Sequence, residues 1–122
     1  MHRMVDIVIT VGGSDPSLVD EDARQLHAEL EPLPAQDVRF APAEPAPGGA
    51  KGLDAASVTT IIVALASSPV LRQLGLVLRD WVNRDQHRKL VARRGEDEVE
   101  IVGRLDAEQE KLVEEFFRRQ VE

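Results

Sequence analysis

The chain has 122 residues, of which 43% are hydrophobic and 30% charged, and it carries a net charge of −7. This length predicts one domain, 1–122, able to bury about two-thirds of the surface its unfolded form exposes. The acidic balance argues against nucleic acid, whose phosphates need clustered Lys and Arg. The absence of cysteine excludes disulfides, thiolate zinc sites and a cysteine nucleophile, and it fits a cytoplasmic protein. Aromatic residues make up only 3%, so the core must be aliphatic.

Val5, Ile7, Ile9 and Val11 alternate with Asp6, Val8 and Thr10. The odd positions give one apolar face, and Val8 makes the other face partly apolar, which predicts a central strand. The run is too short, at about seven residues, and too polar at Asp6 for a signal peptide. Gly12-Gly13 ends it. Asp15 can cap a first helix, with Pro16 at its first position. Val19, Ala23, Leu26, Leu30 and Leu33 form its stripe, and Pro32 and Pro34 stop it. Asp37–Ala41 reads as a second strand, parallel to the first and adjacent to it or one position away.

Residues 42–52, PAEPAPGGAKG, predict an extended Pro/Gly loop. The stretch from Leu53 to Asp85 is the most apolar in the chain. It predicts two helices broken at Ser67-Ser68-Pro69: one carrying Val58, Ile61, Ile62 and Leu65, and one capped by Ser68 and carrying Leu71, Leu74, Leu78 and Trp81. Arg72, Gln73 and the Ser-Ser-Pro break argue against a membrane span. Arg88–Arg93 and Glu98–Val102, joined by a Gly-containing turn, predict a hairpin. Asp106, with Gln109 three residues on, opens a last helix whose stripe is Leu112, Val113, Phe116, Phe117 and Val121.

The expected order is β-α-β-α-α-β-β-α. It gives an α/β (α+β) two-layer sandwich of ferredoxin-like flavour, with a four-stranded mixed sheet and helices mainly on one face.

No residue pattern predicts catalysis, a cofactor or a metal. Gly12-Gly13-Ser14-Asp15 sits where a phosphate loop would, but it lacks the glycines of a dinucleotide fingerprint and the lysine of a Walker loop. His2, His27 and His87 are scattered, with Glu31 alone placed beside His27. No serine lies in a nucleophile elbow. Arg84, His87, Arg88, Lys89, Arg93 and Arg94 form the main basic cluster, suited to helix-end charges or to an acidic partner surface. Two other readings stay open: a small-ligand or nucleotide-binding domain using the Gly12–Asp15 turn, and a homo-oligomeric scaffold.

Several segments together resemble a known family. They are Val8-Ile9-Thr10-Val11-Gly12 with Asp15-Pro16 and Leu18-Val19-Asp20-Glu21; Ala46-Pro47-Gly48 running into Ala50-Lys51-Gly52; Val63-Ala64-Leu65-Ala66-Ser67-Ser68-Pro69; and Leu78-Arg79-Asp80-Trp81. They are similar to the effector-associated constant component family of actinobacterial conflict systems. The resemblance implies a non-enzymatic adaptor or regulatory subunit. Its partner would be an effector: a caspase-like or trypsin-like peptidase, or an NTPase signalling component. No catalytic residue is carried over. The expected partner-binding residues are Pro47, Gly48, Lys51 and Gly52 of the loop, with Trp81, Arg84 and Arg88 after it.

Overall fold

A computed structural model describes residues 4–13, 15–41, 57–85 and 88–121. β1 (Val5–Gly13) forms where the alternating apolar residues lie. Ile7, Ile9 and Val11 point into the core and are at most 2% exposed. α1 (Pro16–Leu30) starts as its sequence indicates: the Asp15 carboxylate accepts the Ser17 N–H at 2.9 Å, and Pro16 leads the helix. β2 (Asp37–Phe40) follows the two prolines that end α1.

The next element corrects the sequence reading. The segment expected to be the first helix of the Leu53–Asp85 stretch, carrying Val58, Ile61, Ile62 and Leu65, is β3 (Ser57–Leu65). Its stretch Val58-Thr59-Thr60-Ile61-Ile62-Val63 is six β-branched residues in a row. Such side chains are stiff at χ1 and crowd a helix, but they pack well on a pleated surface. The spacing of Val58, Ile61, Ile62 and Leu65 mimics a helical face. In the strand, Ile61, Val63 and Leu65 instead share the core side at a period of two. β3 pairs with β1 from Val5↔Leu65 to Gly13↔Ser57, over the whole of both strands.

α2 (Ser68–Asn83) then begins one residue earlier than expected. Ser67 is its cap, accepting the Val70 N–H. Ser68 instead accepts the Val121 N–H at 2.9 Å and fastens the chain's end to the start of α2. β4 (Lys89–Arg94) and β5 (Asp97–Val102) make the expected hairpin, with Gly95 at φ 62° in its turn. That conformation favours glycine. α3 (Ala107–Arg118) opens with a complete capping box between Asp106 and Gln109.

The observed order is therefore β-α-β-β-α-β-β-α, with three helices and one five-stranded sheet among the described residues. The strands lie in the order β2-β3-β1-β4-β5, and every pairing is antiparallel, not mixed. β1 is the central strand. β1 and β2 run parallel with β3 between them, one position apart. The first six elements have the β-α-β-β-α-β order of a split βαβ arrangement. β5 and α3 extend it.

The helices share one face of the sheet. A single core cluster joins Ile7, Ile9 and Val11 of β1 with Ile61, Val63 and Leu65 of β3, Leu90 and Ala92 of β4, and the apolar sides of all three helices. Leu112 departs from its expected stripe: it is exposed, while Val113, Phe116 and Phe117 carry the burial of α3. α2 and α3 approach closely at Gly75. A Cβ there would lie 2.6 Å from Cγ of Phe117, so glycine is what lets the ring pack on the α2 backbone. No helix among the described residues is long and apolar enough to cross a membrane.

Candidate partner-binding surface

Pro47, Gly48, Lys51 and Gly52 lie outside the described residues. The other three expected contact residues come together where α2 ends against α1. Trp81 is fully enclosed, packed in the core with Leu78, Val82 and Leu26. Its ring belongs to folding and presents no surface. Arg88 covers one side of that ring, its guanidinium carbon 4.5 Å from the centroid. Arg88 Nη1 donates to the Trp81 carbonyl oxygen at 2.9 Å, and Nη2 donates to Gln25 Oε1 at 2.6 Å. Its Nε lies 3.6 Å from Asp22 Oδ1, too long for a hydrogen bond but close enough for attraction. Arg84 binds Glu29 of α1 and lies 3.5 Å from Asp80. Both arginines have partners within the molecule and tie α1 to the end of α2, Arg88 nearly buried and Arg84 with 43% of its side chain still exposed.

The Gly12–Asp15 turn offers little to an anion. The Asp15 carboxylate already takes the first available helix N–H, and a negative charge at that point opposes a second one. His27 also has an internal role. Its ring stacks on Phe40 with centroids 4.6 Å apart, Nε2 lies 3.2 Å from the Val38 carbonyl oxygen, and Nδ1 lies 3.5 Å from Glu31. The expected pairing with Glu31 thus forms, and the histidine braces α1 against the edge strand β2. Among the described residues, no group of three His, Asp or Glu side chains is arranged to hold a metal ion.

The surface that the sequence did not single out is the groove between α2 and α3. Gly75, Val113 and Phe117 make its floor, and Leu76 stands on its rim. Its volume is about 230 Å³. Leu76 is 67% exposed, the most exposed large apolar side chain among the described residues. Arg72, Arg79 and Arg118 border the groove, with Glu114 the lone acid among its lining residues. Arg79 is bound by Glu110. Arg72 and Arg118 make no hydrogen bond or ion pair among the described residues. In a chain of net charge −7, this is a locally cationic rim around an apolar trough. One signal was available beforehand: Leu76 falls off the Leu71, Leu74, Leu78 stripe, and an apolar residue off-stripe on an amphipathic helix is left facing water.

Searches against protein-family models, curated proteins and solved structures found no match to this chain.

Proposed function

We propose that this protein is a non-enzymatic adaptor or regulatory component that binds an effector protein, of peptidase type or an NTPase signalling component, in a bacterial conflict system. The resemblance in the Pro47–Gly52, Val63–Pro69 and Leu78–Trp81 segments supplies the class of partner. The observation that carries the binding role is the α2–α3 groove. It combines exposed apolar surface, which marks interaction sites on a folded protein, with the guanidinium groups of Arg72 and Arg118, which have no partner among the described residues.

That chemistry suits an effector segment with an apolar anchor flanked by carboxylates. Leu76 and Phe117 would contact the anchor, and Arg72 and Arg118 would pair with the acids. Arginine suits the task, since its planar fork meets a carboxylate through two hydrogen bonds. The cationic rim would also favour encounter with an acidic segment, although the whole chain is acidic.

The test is calorimetric titration of the purified protein with the effector encoded beside it. The expected result is saturable binding that weakens at least tenfold in the Arg72→Glu, Arg118→Glu double variant, about 1.4 kcal/mol. Both positions are exposed, so the fold should be unaffected. Absence of binding to any neighbouring effector, or binding indifferent to both reversals, overturns the reading.

A further inference from the structure

The α2–α3 groove has two unlike ends. Ser68 of α2 accepts the Val121 N–H from beyond the end of α3, Gly75 lies against Phe117, and Arg79 pairs with Glu110 in the first turn of α3. Positions that rise along α2 therefore meet positions that fall along α3, and the two helices are antiparallel. Arg72 lies between Ser68 and Gly75, and Arg118 between Phe117 and Val121. Both therefore line the groove at the same end, from opposite walls. At the other end Arg79 and Glu110 bridge the helices. Arg79 also borders the next hollow, with Glu110, Asn83 and Leu105, so this ion pair is the wall between the two.

The Arg72–Arg118 end is short of one negative charge. The amino end of α2 lies beside the carboxyl end of α3, and their dipoles offset one another, so the side chains decide. Arg72 and Arg118 share the lining with Glu114, and none of the three has an ion pair among the described residues. One positive charge is left in excess. Arg79 is neutralised by Glu110, and Arg119 by Asp97. Lys111 and Glu115, two positions either side of the buried Val113, do not share its face of the helix. Glu122 lies outside the described residues. One carboxylate balances this end; a second would place negative charge in excess beside Glu114.

The groove's volume of about 230 Å³ is below the about 300–1,000 Å³ of pockets for whole ligands, and it suits one large side chain. In a continuous chain, a neighbouring carboxylate stands away from such an anchor, on the opposite side of an extended strand or one turn along a helix. An α-carboxylate springs from the anchor's own Cα. It reaches both arginines while the side chain fills the trough, and a chain that ends there need not cross the Arg79–Glu110 bridge.

We propose that the groove receives the free C-terminus of a partner polypeptide. A final leucine or phenylalanine lies on Gly75, Val113 and Phe117, and its α-carboxylate sits between Arg72 and Arg118. Capture of a terminal carboxylate is a recurring mode of peptide recognition, and the arginine fork suits it. This rests on the groove being the partner's site and narrows what enters it.

NMR titration of the intact chain tests this with two probes: N-acetyl-Gly-Ser-Gly-Ser-Gly-Phe bearing a free carboxylate, and the same peptide as its C-terminal amide. The acid should give saturable shifts at the Gly75, Leu76 and Phe117 amides. The amide should bind more weakly by about tenfold or more. The Arg72→Gln, Arg118→Gln double variant should erase that difference with unchanged circular dichroism melts, since both positions are exposed. Equal binding of acid and amide overturns the terminal-carboxylate proposal and leaves the groove to an internal segment. So does equal binding of an amidated peptide that continues past the phenylalanine by Gly-Ser. Binding seen only in Glu122→Gln would give the two guanidinium groups to Glu122 and overturn it too. No shift with either probe also overturns it, while effector binding weakened by Arg72→Glu with Arg118→Glu would keep the wider reading of the groove.

Discussion

Arg88→Ala should destabilise the protein severely, although Arg88 reads in the sequence as a surface cation. The side chain is 9% exposed and its partner Asp22 13%. It donates to the Trp81 carbonyl and to Gln25, and it lies over the Trp81 ring. A hydrogen bond from a charged donor is worth about 1.5–3 kcal/mol, and a cation over a tryptophan about 0.5–2 kcal/mol. These contacts share one network and do not add fully. A combined loss of about 3–4 kcal/mol follows, within the range for breaking one side of a buried ion pair. With an unfolding entropy of about 2.1 cal/mol/K per residue, a 122-residue chain loses roughly 12–16 °C in Tm. Thermal and urea melts followed by circular dichroism measure this directly. Arg88→Lys keeps a charge near the ring but cannot bridge Trp81 and Gln25 together, so it should fall between the two. A Tm loss under about 3 °C for the alanine variant would refute the structural role. Loss of effector binding at unchanged stability would return Arg88 to the partner surface.

Other variants probe the remaining joints. Gly75→Ala gains about 1 kcal/mol of helix propensity but pushes a methyl group against the near end of Phe117, with a net loss of about 1–2 kcal/mol in urea melts. That loss should shrink in a Phe117→Ala background, where the ring is gone. Ser67→Ala removes the α2 cap and should cost about 1 kcal/mol by the same measurement. Leu76→Glu should leave stability within about 0.5 kcal/mol, because the side chain is mostly in water, yet abolish calorimetric binding of the effector at the α2–α3 groove.

The ends of the elements were legible in the sequence because their chemistry is local. Asp15-Pro16, Asp106 with Gln109, and Gly95 each act through atoms a few residues away, and each sits where its residue type indicates. The type of the 57–65 segment was not legible from spacing. Apolar residues at 58, 61, 62 and 65 satisfy a helical template, and only the unbroken β-branched run pointed to a strand. What decided the matter was tertiary: β1 offers a full-length partner to a segment far along the chain. With β3 in place, β1 becomes the centre of five strands, and the mixed sheet becomes wholly antiparallel. The same limit applies to Trp81, Arg84 and Arg88. Their residue types fit a binding site, but the position of α1 against the end of α2 determines what they touch. The groove residue Leu76 was visible only as an exception to its own helix's stripe.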